Sequence, residues 1–124
     1  MTHQIQAGEI FVFGSNTTGR HGKGAALTAK LHFGAKQGQG VGLEGQSYAI
    51  PTKNGRLQTF PLSKIEQYVN DFIQFANQHH ELKFFVTAIG TGLAGYKHEQ
   101  IAPMFANAPA NCRLPPEWIE ILKS

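Results

Sequence analysis

The residues best equipped for chemistry gather in two glycine-rich stretches. The first is Gly14-Ser15-Asn16-Thr17-Thr18-Gly19-Arg20-His21-Gly22-Lys23-Gly24-Ala25-Ala26, which follows the apolar Phe11-Val12-Phe13. It supplies a carboxamide (Asn16), an imidazole (His21) and two cations (Arg20 and Lys23) among glycines. A glycine loop that leads into a helix aims free backbone N–H groups at one point, because the first helical turn has no internal acceptor for them. Oxyanions are the natural ligands of such a point. The second stretch, Gly90-Thr91-Gly92-Leu93-Ala94-Gly95-Tyr96, follows another apolar run and has the same character. Histidine is the side chain best suited to proton transfer near neutral pH, so His21 is a candidate acid–base group, with Lys53 a candidate for proton transfer or charge stabilisation. The plain alternative for His21 is an exposed loop residue.

Familiar motifs narrow the chemistry. Gly14 to His21 nearly spells a triphosphate-binding loop, but Arg20 stands where the lysine belongs and His21 where the magnesium-holding hydroxyl belongs. Gly90-Thr91-Gly92-Leu93-Ala94-Gly95 is a formal G-x-G-x-x-G, yet the neighbourhood about twenty residues on holds Ala110, Asn111 and Cys112 in place of a ribose-binding carboxylate. Its glycines still require a close backbone approach or a turn with positive φ. The single cysteine, Cys112, falls in an expected strand and reads as packing. Asp71 lies on the polar side of an expected helix, and His79-His80 closes that helix near its negative end. No His, Cys or Asp set has zinc spacing, so neither a metal nor a cofactor is expected.

The positioning elements follow from hydrophobic patterning. Ile10–Phe13 is a continuous apolar run and Lys83–Ile89 a nearly all-apolar one, the mark of strands buried on both faces. Ser47–Ile50 is a further strand, closed by Pro51. Helices are expected over Lys23–Phe33, from a capping box Ser63-Lys64-Ile65-Glu66 to about His79, over His98–Ala106 with Pro103 in a first turn or at a kink, and after Pro115-Pro116. Asn111–Leu114 suits a last short strand. Gly34 to Gly45 reads as a mobile loop, and Asn54-Gly55 as a turn. Alternating strands and helices argue for an α/β fold with a parallel or mixed sheet covered on both faces, whose ligands bind at the strand carboxyl ends. Both glycine loops leave from such ends and face one another if their strands are neighbours.

Composition sets the outer limits. The 124 residues are expected to form one domain, 1–124, with one core. A net charge of +3 without any Lys/Arg-rich run favours acidic ligands mildly and gives little nucleic-acid footprint. One cysteine fits a reducing compartment, Met1–Gln6 does not read as a leader, and no stretch is long enough to cross a bilayer. A cytoplasmic setting is expected.

With both loops on the page, the chain resembles the macro domain family, an ADP-ribose-binding α/β/α module. Val12-Phe13-Gly14-Ser15-Asn16 resembles the family's Asn-Ala-Ala-Asn strand end, and His21-Gly22-Lys23-Gly24-Ala25-Ala26 its glycine helix start. Ile89-Gly90-Thr91-Gly92-Leu93-Ala94-Gly95-Tyr96 resembles the second signature, Ser-Thr-Gly-Ile-Phe-Gly-Tyr-Pro. The pattern is most similar to a small, phage-associated macro-like group, implying a bacterial or phage-infected host. The resemblance implies a three-layer α/β/α fold with a small mixed or parallel sheet and helices on both faces. It implies that Asn16, joined by Gly14 and Ser15, contacts the distal ribose and in hydrolytic members helps position water. Gly22, Lys23, Gly24 and Ala25 would meet the diphosphate and distal ribose. Gly90, Thr91, Gly92, Leu93, Ala94 and Gly95 would close over the diphosphate, with Tyr96 beside the ribose. His21 and Lys23 interrupt the family's triple glycine. The adenine-binding aspartate has only Glu9, in Gly8-Glu9-Ile10, as a nearby counterpart, and the chain is short enough that peripheral strands are expected to be missing.

The expected function is therefore binding of ADP-ribose or a related nucleotide diphosphate. Asn16 and His21 are the catalytic candidates should an ADP-ribose derivative be hydrolysed, and Arg20, Lys53 and Glu9 are further site candidates. An ADP-ribosylated protein or nucleic acid is an admissible partner; a membrane is not expected. An interaction domain for nucleic acid or protein, with no small-molecule chemistry, is the alternative of a different class.

Overall fold

A computed structural model describes residues 5–123; residues 1–4, part of the stretch read above for a leader, and residue 124 lie outside it. In chain order the elements are β1 (Glu9–Asn16), α1 (Gly24–His32), β2 (Gly42–Glu44), β3 (Ser47–Lys53) and α2 (Leu62–Gln78). Then come β4 (Lys83–Val86), α3 (His98–Ile101), a 3₁₀ turn (Ala102–Phe105), β5 (Cys112–Arg113) and α4 (Pro116–Lys123). The sheet has five strands in the order β2-β3-β1-β4-β5. Only β2 is antiparallel to its neighbour, so the sheet is mixed.

Strand alternation divides the core between two faces. Ile10, Val12, Tyr48, Ile50, Phe84 and Val86 point to one face, where Ile65, Val69 and Phe72 of α2, Phe105 of the 3₁₀ turn and Trp118 of α4 cover them. Phe11, Phe13 and Ala49 point to the other, under Ala29 of α1, with Phe33 stacked on Phe11. Helices on both faces of a mixed sheet make the expected three layers. Among the described residues no helix is long and apolar enough to cross a membrane.

Three local expectations are corrected. Pro51 does not close β3, which continues to Lys53. Pairing with β2 ends at Ala49, so Pro51 has a free edge on that side and its missing N–H costs nothing there. The capping box at Ser63 does not form: α2 starts two residues earlier than that box would place it, after Pro61, with no side-chain cap, leaving Ser63 inside the first turn. The stretch from Gly34 to Gly45 is not a loose loop. It contains β2, and its earlier half is fastened to the first glycine loop. Elsewhere Pro103 sits at the start of the 3₁₀ turn, where its missing N–H is harmless. The Trp118 indole N–H bonds His98 Nδ1 at 2.9 Å and anchors α4 to α3.

Candidate functional site

Strands β1 and β4 are parallel neighbours, and they lead away in opposite directions. From β1 the chain crosses by α1 toward β2 and β3; from β4 it crosses by α3 toward β5. This divergence opens a crevice beyond the carboxyl ends of the two strands, the position where open α/β sheets bind ligands. The crevice measures about 640 Å³ and takes lining residues from both glycine loops. That volume suits a ligand of nucleotide size.

The first loop is built from the Asn16 side chain outward. Asn16 is 6% exposed, and its Oδ1 accepts the Thr18 hydroxyl at 2.8 Å and the Arg20 N–H at 3.0 Å. Its Nδ2 donates to the Arg20 carbonyl at 2.8 Å, leaving one amide hydrogen uncommitted at the crevice wall. The segment Lys36–Gly40 then clamps this loop from outside. Gly38 donates to Gly19 O at 2.9 Å, and Ser15 Oγ donates to Gly40 O. Gly19 has φ +71°, and a Cβ there would collide with the Gln39 backbone; a Cβ on Gly40 would collide with Asn16 O. Glycine at both positions is therefore a packing requirement.

His21 is the largest departure from expectation. It is neither an exposed loop residue nor part of the crevice wall; it is fully buried beneath the loop. Its Nε2 lies 3.0 Å from both the Lys36 and the Gln39 carbonyl oxygens, so Nε2 carries the proton and donates to them. The ring meets Phe13 edge-on. An imidazole committed in this way locks the two loops together and does not reach a ligand in the crevice.

The anion-binding capacity lies in the backbone. Helix α1 starts at Gly24 behind Lys23, with no side-chain cap and no acidic residue in its first turn. The amides of Gly24, Ala25 and Ala26 consequently have no acceptor inside the helix, and all three residues line the crevice. In the second loop, Gly95 donates to Gly92 O and Tyr96 to Gly90 O, which shapes the turn. Among the described residues, the amides of Gly90, Gly92, Leu93 and Ala94 donate to no protein acceptor, and these residues also line the crevice. Arg20, Lys23 and Lys53 add three cations to the wall, none in an ion pair among the described residues. The Arg20 guanidinium donates to Gly55 O and so ties the 54–58 turn to the first loop.

The structure thus brings Gly14, Ser15, Asn16, Arg20, Gly22, Lys23, Gly24, Ala25 and Lys53 together with Gly90–Ala94. It leaves out Gly95, Tyr96 and Glu9. The Tyr96 hydroxyl donates to Phe60 O at 2.7 Å while its ring packs on the core, so it is a loop anchor that does not flank the crevice. Glu9 begins β1, at the opposite end of the sheet, where Arg113 grips it through Nη2 at 2.6 Å and Nε at 3.0 Å. That guanidinium holds the Glu9 carboxyl below its ordinary value. Cys112 packs half-buried against the core, and burial pushes its thiol up to about 12. Sequence reasoning missed Thr52, Thr87 and Leu57 in the crevice wall. The first two continue β3 and β4 and could have been read from strand extension; Leu57, at φ 61°, carries no sequence signal.

No protein-family model matches the sequence, and no curated protein matches it. Solved structures do match. The chain aligns with Thermosipho africanus DarTG in complex with ADP-ribose over 90% of its own length, at 17% identity and a TM-score of 0.60. The fold is macro-domain-like. A protein of unknown function from Bacteroides thetaiotaomicron shares this macro-like fold at 19% identity and a TM-score of 0.57, covering 90% of this chain and 89% of that one. The chain spans 39% of the Thermosipho chain. At these identities the likeness is one of fold, and the site must be argued from its own atoms.

Proposed function

We propose that the crevice binds ADP-ribose or a related nucleotide diphosphate, with the diphosphate held between the two loops. One observation carries this reading: two sets of amides with no protein acceptor among the described residues, at Gly24–Ala26 and at Gly90, Gly92, Leu93 and Ala94, line one crevice with three cations that form no ion pair among those residues. A helix N-terminus and a second donor-rich loop suit the several acceptor oxygens of a diphosphate. The macro-like neighbour from Thermosipho, solved with ADP-ribose, supports the choice of nucleotide. An ADP-ribosylated protein or nucleic acid would be bound through the same group.

Hydrolysis of an ADP-ribose derivative is the finer form of the proposal. The Asn16 amide hydrogen that remains free would help orient water beside a ligand phosphate. Among the described residues no His, Asp or Glu lines the crevice, which leaves the ligand phosphate and Lys53 as the groups for proton transfer. Binding without turnover is the reading the geometry favours. Calorimetric titration with ADP-ribose tests it: saturable heat that falls with added salt is expected, whereas no heat at millimolar ligand with the fold intact overturns it. Steeply salt-dependent RNA or DNA binding that ADP-ribose does not displace would favour the interaction-domain alternative.

A further inference from the structure

Among the described residues no hydrogen bond joins the two glycine loops directly. Beyond the strand ends they are connected through a third segment, residues 53–60, which continues β3. This segment doubles back as a hairpin: Lys53 and Thr59 form an antiparallel bridge, and the Phe60 N–H donates to Thr52 O at 2.8 Å. On its first-loop side, the Thr17 N–H donates to Lys53 O at 3.1 Å and the Arg20 guanidinium donates to Gly55 O. A Cβ on Gly55 would meet Thr18 Cγ2 at 2.8 Å, so the hairpin lies directly against that loop. On its second-loop side, the Thr59 hydroxyl donates to Ala94 O at 3.2 Å and the Tyr96 hydroxyl donates to Phe60 O at 2.7 Å.

The hairpin is held stiffly by Asn54. Its Oδ1 accepts the Arg56 and Gln58 N–H groups at 2.8 and 3.1 Å, and its Nδ2 donates to Gln58 Oε1 at 2.9 Å. Its backbone N–H donates to Gln58 O, and its carbonyl accepts the Leu57 N–H. These bonds keep Leu57 at φ 61°, the one non-glycine residue with positive φ among the described residues. A bulky side chain persists in that region only where the surroundings over-determine the backbone. A segment that keeps its shape under such strain passes the position of one loop on to the other.

Spacing matters to a ligand gripped from two sides, because it binds in proportion to the fraction of molecules in which both sides are in place. Neither Thr59 nor Tyr96 lies in the crevice wall, so their hydroxyls act on the site through the loops. Resting on the diphosphate reading above, we propose that the 53–60 hairpin is a brace that sets the spacing of the two glycine loops. Tyr96 and Thr59 are its positioning residues on the second-loop side. Tyr96 thereby serves the ligand without touching it.

The experiment is calorimetric titration of ADP-ribose and inorganic pyrophosphate into the wild type, Tyr96→Phe, and a Tyr96→Phe/Thr59→Val double variant. Amide hydrogen exchange is measured on the same three proteins without ligand. Both substitutions remove a hydroxyl donor while keeping the side chain close to its original size. Tyr96→Phe should weaken both ligands by a common factor of about threefold, and the double variant by about tenfold. Exchange should quicken at Thr91, Gly95 and Tyr96, whose amides are hydrogen-bonded close to home, and stay at the wild-type rate at Gly19 and Phe33. Double-variant affinities within about twofold of the wild type overturn the brace and leave the diphosphate reading standing. Weakening confined to ADP-ribose also overturns it, since Tyr96 would then meet the organic part of the ligand directly. Exchange that quickens throughout the chain marks a general loss of stability and counts against the brace in the same way. If neither ligand binds folded wild-type protein, the diphosphate reading fails and the brace with it.

Discussion

Replacing His21 by alanine should cost stability and loosen the first loop without removing a group that touches the ligand. The imidazole is fully buried, its Nε2–H is shared by two carbonyls at 3.0 Å, and its ring centroid lies 5.4 Å from that of Phe13. Removing the donor leaves the Lys36 and Gln39 carbonyls to find other partners, at a cost of about 1–2 kcal/mol. The vacated ring volume adds on the order of 1–2 kcal/mol, since surrounding loops relax only in part. A total of about 3 kcal/mol is a large share of the about 5–15 kcal/mol that holds a domain together. It corresponds to a fall in Tm of about 10 °C for a chain of this size. His21→Gln can place an amide N–H near the former Nε2 and should recover about half of the loss. Urea denaturation of the three proteins measures this directly. A His21→Ala protein within about 0.5 kcal/mol of the wild type refutes the lock. Full stability combined with lost turnover of an ADP-ribose ester would return His21 to the catalytic group.

Three further substitutions probe the frame around the crevice. Gly40→Ala would drive a methyl group into Asn16 O and should destabilise the protein by about 1–3 kcal/mol in chemical denaturation; unaltered stability would contradict the close loop packing. Arg113→Met should cost about 1 kcal/mol near neutral pH, kept modest because the guanidinium is 41% exposed and screened. Arg113 holds the Glu9 carboxyl below 4.5, so its contribution is complete above that value and is lost as pH falls through the lower folded value. The wild-type and Arg113→Met stabilities should converge in acid, and a constant gap would contradict this. Cys112, with its thiol pushed up to about 12, should resist alkylation at pH 8 in folded protein and react on unfolding; rapid labelling of the native state would show a more open site.

The sequence makes the frame legible because burial on both faces leaves a strong mark. The runs Ile10–Phe13 and Phe84–Val86 are apolar for that reason, and they are the two strands that carry the glycine loops. The loops were legible through glycine spacing and their place after strands. Contacts between segments distant in the chain were not. Nothing local tells that Lys36 and Gln39 will present carbonyls to His21, so a buried clamp looks like a reactive loop residue. Tyr96 fits a motif position, but its hydroxyl is claimed by Phe60, which lies 36 residues earlier. Glu9 has a suitable type and neighbourhood, yet strand direction alone carries it to the far end of the sheet. The Ser63 capping box failed for a smaller reason: Pro61 already provides the extended backbone from which α2 can start.

The central claim is that two sets of free amides clasp a diphosphate. An amide-resolved NMR titration of isotopically labelled protein with ADP-ribose tests it most directly. The account predicts saturable shifts concentrated at Gly24, Ala25 and Ala26 and at Gly90, Gly92, Leu93 and Ala94, with Glu9, Lys83 and Arg113 at the opposite end unmoved. A folded spectrum in which those seven amides stay still at millimolar ligand, or in which only the opposite end responds, contradicts it.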